Sequence, residues 1–539
     1  DVENLWTKLK EGAISFYFLS IKDLGLTDEL YVTMNSRGKP LTDFEHFKAE
    51  FKRKLDEIDG KLSDRILLKI DTAWTDLLWA YRDENNLIDD GFLAYFGFLC
   101  DVILYREGKT PQDQSRDPFD LLDEFFSESA QANIDFMEKS FDCWCELAGR
   151  EDIPNFFADR VSKGSRNDKT VNRHERGKII TYFDRADFFG ECLKSYNRGF
   201  SLGQTVMLYA FLVYLLNVEK ISDGDFRRRL RIVNNLVTNS AGAELSNSEN
   251  RKNGNRIPAM LEQVDSIIIH GKILRRDEIK TANSFNFNSV QLEEERKKIL
   301  WTAANPDKAE SLFELEDHYL LYGRIGIVGL EHPEYFARFI SLFDCDYDKI
   351  SCALLIMGDY LQTMDGKVYQ LGSPNPKSWQ NLFHKSALVK GFEETEIALE
   401  KLLRGTANFT NAYLDKIIDG YIAESEKKSS FEWIYYYVNY TSFRAFMSGL
   451  KDYGKYRWWD FENEPYCFAV MSTEKKMSNN SYQPFLKEVE VRDNISREDL
   501  GMRLVFGDYY VECENDSYVV KNLDTDREED RLAINQRDG

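Results

Sequence analysis

The residues able to do chemistry fall in a few short stretches. "LYVTMNSRGKPLTDFEHFKAEF", Leu30–Phe51, sets Asn35, Arg37, Gly38 and Lys39 directly ahead of a helix start. Gly38 supplies φ > 0 and Pro40 with Leu41 leads into a cap, which makes a good turn. The same residues also fit an anion site. Backbone N–H groups beside Gly38 and at the helix N-terminus can meet a phosphate, and Arg37 and Lys39 add charge. A second stretch is Glu316-Asp317-His318. As catalytic candidates, the His would activate a water and the carboxylates would hold a divalent metal. The plainer reading is a cap or packed polar cluster before the turn Gly323-Arg-Ile-Gly326. A third is "DFRRRLRIVNN", which puts Arg227, Arg228, Arg229 and Arg231 on one helix. Such a run is either a salt-bridged face or the wall of a local DNA groove. The polar segment with Lys163, Arg166, Lys169, Arg173 and Arg176 offers the same choice.

These residues need elements to place them. "ISFYFLSI", Ile14–Ile21, reads as an aromatic-rich strand. Thr42-Asp-Phe-Glu45 matches a capping box, and Phe44, Phe47, Phe51, Leu55 and Ile58 then share one helical face that Gly60 would stop. From about residue 61 to 420 helical patterning dominates. It is broken by two polar loops, Asp159–Lys178 and Ser240–Pro258. After residue 425 the text turns to rings and β-formers. "MRLVFGDYYVECENDSYVVKNL" reads as strands around an Asn-Asp turn, and the last residues read as a frayed tail.

Composition narrows the classes. The chain has 539 residues, 43% hydrophobic and 30% charged, which predicts several globular domains. Its net charge of −22 argues against a generally basic nucleic-acid-binding surface and against adhesion to an anionic membrane, but leaves room for a local basic groove. None of the 8 cysteines forms C-x-x-C, so no structural zinc is expected, and "CWC" at Cys143 and Cys145 reads as a buried helical face. Scattered thiols predict a cytoplasmic protein. "VMLYAFLVYLL", Val206–Leu216, is too short to span a bilayer and predicts a buried helix. Asp508, Glu512 and Glu514 lack the Lys that would complete a nuclease Asp…Glu-x-Lys set. No Walker loop, G-x-S-x-G or G-x-G-x-x-G occurs.

The stretch Leu30–Phe51 resembles the closing motif of the N-terminal domain of the GmrSD-type restriction family: a hydrophobic segment, Asn-x-x-Gly-x-x-Leu, then an acidic and a basic residue on the next helix. Asn35, Gly38, Leu41, Glu45 and Lys48 occupy those places. "FRRRLRIVNNLVTNS", "FNFNSVQLEEERKKILW", "LFELEDHYLLYGRIGIV" and "WIYYYVNYTSFR" are similar to softer patterns of larger members, the last to an aromatic strand. The resemblance implies a ParB/sulfiredoxin-like domain that hydrolyses nucleotide in defence against foreign DNA. Asn35, Arg37, Gly38 and Lys48 would bind the nucleotide, with an NTP and a divalent metal as cofactors of the full-length protein. The family's Asp-Gly-Gln-Gln-Arg run is absent, and "DVENLWTKLKEG" begins in the middle of a helical pattern, so that run is expected upstream of Asp1.

The expected fold is mainly α: a multi-helical array with a short α/β remnant at the N-terminus and a small β-containing C-terminal module. The expected domains are 1–60, the end of the ParB-like domain; 61–424, helical; and 425–539, aromatic-rich and mixed. Two functions fit. One is nucleotide-dependent recognition or cleavage of foreign DNA, with Arg227, Arg228 and Arg231 contacting DNA. The other is a noncatalytic helical scaffold that docks a partner nuclease or other protein, or a second copy.

Overall fold

In the computed structural model, the described residues are 2–13, 42–111, 117–126, 130–165, 174–196, 198–240, 256–358, 360–364, 368–372, 376–385, 389–428, 433–439, 455–457, 496–498, 503–514 and 517–533. The fold is mainly α, with small antiparallel sheets toward the C-terminus and one parallel pair, Val161–Lys163 with Ile179–Thr181, whose first strand lies in the segment expected to be a polar loop. The expected strand at Ile14–Ile21 lies outside the described residues.

The expected capping box opens the helix Asp43–Ile58. Glu45 N–H donates to Thr42 Oγ1 at 3.3 Å, and Thr42 N–H donates to Glu45 Oε2 at 2.8 Å. Phe47, Phe51 and Leu55 face inward as the spacing predicts. The stop differs from expectation. Asp59 turns extended, and its carboxylate accepts the Lys61 N–H at 3.0 Å, so Gly60 begins the next helix instead of ending this one.

Two hydrophobic cores follow. The first gathers helices from Asp43–Ile58 to Ile257–His270 around two that are buried almost all round, Asp89–Arg106 and Leu202–Leu215. The latter is the apolar run at Val206, capped by Ser201 and Gln204. Phe47 and Phe51 pack on Phe96 and Phe126, so the helix expected to close a separate 1–60 domain joins this core. The second core is built from Ala309–Glu316, Glu334–Phe343, Tyr347–Met357, Pro376–Phe383, Phe392–Arg404 and Asn411–Lys428. A four-stranded sheet adjoins its helices, in the order Val389–Lys390, Gln362–Met364, Val368–Gln370, Lys455–Arg457. Between the cores runs the helix Ser289–Ala304. Leu292 on it joins the first core, and Trp301 packs on the second.

Two C-terminal expectations are corrected. The segment read as an aromatic strand forms the helix Trp433–Asn439, with Tyr437 and Val438 in the second core. The tail read as frayed contains the strand Glu528–Ala533, which closes one side of a five-stranded antiparallel meander with Ser496–Glu498, Arg503–Phe506, Tyr509–Glu514 and Ser517–Asn522. Glu514 pairs with Ser517, so strands are present on both sides of the expected Asn515-Asp516 turn, which itself lies outside the described residues.

Phe211 is fully buried among Phe156, Phe157, Phe188 and Phe226, with its ring 4.6 Å from that of Phe157. Phe211→Ala is expected to destabilise the fold by about 3–5 kcal/mol in denaturant titration, and a loss below about 1 kcal/mol would show the ring is not packed as described.

Candidate functional site

The helix Asp223–Thr238 starts at Ser222, whose Oγ accepts the Asp225 N–H at 3.1 Å. Phe226, Leu230, Val233 and Leu236 turn into the first core. Arg231 lies on an inward face too, 5% exposed. Its Nη1 donates to Asp317 Oδ1 at 2.5 Å and its Nη2 to Asp317 Oδ2 at 3.2 Å. Nη2 also donates to the Lys178 carbonyl at 2.8 Å, and the guanidinium lies over the Phe313 ring. The two-pronged bond uses the fork geometry that distinguishes arginine from lysine.

Asp317 has a second partner. His174 places Nδ1 2.6 Å from Asp317 Oδ2 and Nε2 2.9 Å from Glu310 Oε1. Both ring nitrogens face carboxylates, so both donate only when the ring is doubly protonated. The bond to Asp317 raises the His174 pKa above the ordinary histidine value against the opposing cost of burial.

A few ångströms on lies a second cation. Lys298 Nζ donates to Glu295 Oε1 and Glu316 Oε1, each at 2.5 Å, and to the Gly323 carbonyl at 2.9 Å, which uses all three of its N–H bonds. Asn235 Nδ2 donates to the same Glu316 oxygen at 3.0 Å. The other Glu316 oxygen makes no hydrogen bond among the described residues and lies 3.8 Å from Arg231 Nη1. Glu294 accepts the Ile325 N–H at 2.7 Å and stands 4.0 Å from Lys298. Gly323 is needed where it is: its φ is +91°, and a Cβ there would come within 2.6 Å of Asn235.

The charges explain the protonation pattern. Burial opposes the charge on Lys298, but Glu295, Glu316 and Glu294 outweigh it and raise its pKa above the ordinary value. Burial also opposes the charge on Arg231, and Asp317 and Glu316 outweigh it there. One ammonium cannot neutralise three buried carboxylates. Burial therefore pushes Glu295 up to about 8 despite Lys298, with Glu316 adding repulsion, and it raises Glu294 as well. The result is a buried junction of charges joining helices of both cores.

Residues that the sequence marked for two different chemistries meet here and neutralise each other. Arg231, a candidate DNA contact, is buried against Asp317, a candidate metal-site residue, an arrangement that matches the plainer readings of a salt-bridged face and a packed polar cluster. Glu316 is likewise taken by Lys298 and Asn235. His318 points elsewhere, its ring packed on Tyr319, Phe339 and Phe343, so the Glu-Asp-His triplet is divided. Among the described residues no group of three or more His, Cys, Asp or Glu is arranged to hold a metal ion. Arg227 is also committed internally: it donates to Asp223 and Asp159 at 2.7 Å and to the Gly177 carbonyl at 2.8 Å. Arg228 is exposed and pairs with Asp225. Lys48 pairs with Asp71, while Asn35, Arg37 and Gly38 lie outside the described residues.

Sequence reasoning missed Glu295, Lys298 and the role of His174. A signal was present for the first two. Gln291, Glu295 and Lys298 recur at helical spacing beside Leu292 and Ile299, a polar stripe on a face that should be buried. Comparison with family models, curated proteins and solved structures gives no match.

Lys298→Met leaves Glu295 and Glu316 without their cation, and is expected to cost about 3–5 kcal/mol in denaturant unfolding. A change under about 1 kcal/mol would mean the junction does not hold the cores together. The junction also sets a pH dependence. Folded Glu295 and His174 keep protons that their unfolded counterparts release at lower pH. Their contribution to stability is therefore fully present only below their ordinary, unfolded pKa values. It declines as pH rises toward about 8 for Glu295 and through the raised value for His174, by up to about 1.4 kcal/mol per pH unit for each retained proton. Melting temperature followed from pH 5 to 8 should fall, and Glu295→Gln should flatten the curve; an unchanged slope in that variant would contradict the assignment.

Proposed function

We propose that the described helical body is a noncatalytic scaffold that docks a partner nuclease or other protein within a prokaryotic, nucleotide-dependent DNA-restriction and anti-phage defence system. The observation supporting the scaffold role is the Arg231–Asp317 pair. The side chains best suited to contact DNA or to hold a metal are spent on joining the two cores. Such a junction orients one half of the body against the other, which is what a docking platform requires.

The system to which the scaffold belongs rests on the resemblance of Asn35, Gly38, Leu41, Glu45 and Lys48 to the restriction-family motif. That motif favours a second reading, in which the intact protein itself binds and hydrolyses an NTP with a divalent metal and acts on foreign DNA.

The readings part on activity. In the intact protein, His318→Gln is expected to leave DNA cleavage and NTP hydrolysis within roughly twofold of the parent, whereas Asn35→Ala and Gly38→Val each lower NTP hydrolysis by roughly a hundredfold. A hundredfold loss of cleavage in His318→Gln at unchanged melting temperature would overturn the scaffold reading. Unaltered hydrolysis in both motif variants would remove the nucleotide site.

A further inference from the structure

A basic surface does exist, away from the helix on which the sequence pattern placed it. The helix Ile257–His270 ends at Gly271, whose φ of +65° lets the chain turn out sharply, with the Gly271 N–H donating to the Ile267 carbonyl at 2.8 Å. The segment that follows, "KILRRDEIK", carries Lys272, Arg275, Arg276 and Lys280 against Asp277 and Glu278. All four cations are exposed. Neighbouring elements add more. Arg229 reaches under the turn to the Ile268 carbonyl at 2.8 Å, and Arg296 donates to the Leu274 carbonyl at 2.6 Å. Lys272 pairs with Glu278 at 2.6 Å and Arg296 with Glu293 at 3.1 Å, and the exposed Arg275, Arg276 and Lys280 still give this surface a basic character in a chain of net charge −22. Screening over about 8 Å at physiological salt lets a ligand at this surface see the local charge more than the distant acids.

The surface also has a flat face. Phe285 is 37% exposed, and the Arg276 guanidinium lies over its ring 3.7 Å from the centroid. Arg276 Nε donates to Ser284 Oγ at 3.1 Å, which fixes the plane. The backbone behind it is held as well: Glu262 accepts the N–H groups of Lys280, at 2.9 Å, and Thr281, at 3.1 Å. A held ring–guanidinium stack beside exposed Lys and Arg side chains suits one kind of ligand. Phosphates meet the cations, and an unpaired base stacks on the flat face. A duplex keeps its bases stacked inside and offers only phosphates. An acidic peptide offers charge and no base.

We propose that the surface formed by residues 271–286, with Arg275, Arg276, Lys280 and Phe285 at its centre, binds single-stranded nucleic acid. It lies apart from the buried junction, and its binding does not depend on the scaffold reading.

The test uses the full chain, with fluorescence anisotropy of a labelled oligothymidylate, the corresponding duplex and polyglutamate as probes. Binding of the single strand is expected to weaken as salt rises. Arg275→Glu combined with Lys280→Glu should weaken single strand and duplex alike and lower the salt slope by about 2. Phe285→Ala should weaken the single strand by roughly tenfold and leave the duplex unchanged, and Phe285→Tyr should restore it. All three side chains are exposed, and an unchanged melting temperature confirms that the variants fold. Absence of single-strand binding at low salt overturns the proposal. So does binding indifferent to these variants, or equal loss of duplex and single strand in Phe285→Ala. Tighter binding of polyglutamate than of oligothymidylate would instead assign the surface to an acidic polypeptide.

Discussion

The fold hinges on the buried pairing of Arg231 with Asp317 and of Lys298 with Glu316. Each hydrophobic core can be assembled from its own rings and aliphatic side chains, but those forces are indifferent to direction. The junction is not indifferent. A guanidinium fork accepts a carboxylate in one plane, and an ammonium with three acceptors already in place leaves no room for a shifted register. Buried ion pairs add little net stability over apolar packing, since desolvation opposes most of the attraction. What this one contributes is uniqueness: only one docking of the two halves brings Arg231 to Asp317 and Lys298 to Glu316.

The same junction shows where sequence reading works and where it ends. The helix Asp43–Ile58 was legible to its cap, because a capping box and an inward Phe face are local facts. The buried helix Leu202–Leu215 was legible from an apolar run too short for a bilayer. The partner of Arg231 was not. Asp317 lies 86 residues away, and no local pattern says which carboxylate will meet an inward arginine. Exposure misled in the same manner: four arginines on one helix suggest a surface, yet Arg231 follows Leu230 and precedes Val233 on a turn that is largely inside. The aromatic segment at Trp433 failed for another reason. Rings favour strands only where a neighbouring strand exists, and here Tyr437 and Val438 find the second core.

The helix Ser289–Ala304 belongs to neither core alone. Leu292 belongs to one, Trp301 to the other, and the polar stripe of Gln291, Glu295 and Lys298 runs between them. It acts as a spine, and its spacing fixes the separation of the halves. Substitutions along it should couple strongly, because Glu295 and Lys298 share ligands with Glu316 and Gly323.

The strand Glu528–Ala533 carries a consequence of a separate kind. It forms an outer edge of the five-stranded sheet, and its sequence, "EEDRLA", brings three acids and an arginine to that edge. A second sheet approaching it meets repulsion before it meets hydrogen-bonding groups. The strand inside it, "SYVVKN", has no such protection, and Val519 is fully buried. This outer strand thus works as a guard against self-association. A protease nick between the two would expose a sticky β-edge and turn the sheet into a seed for aggregates.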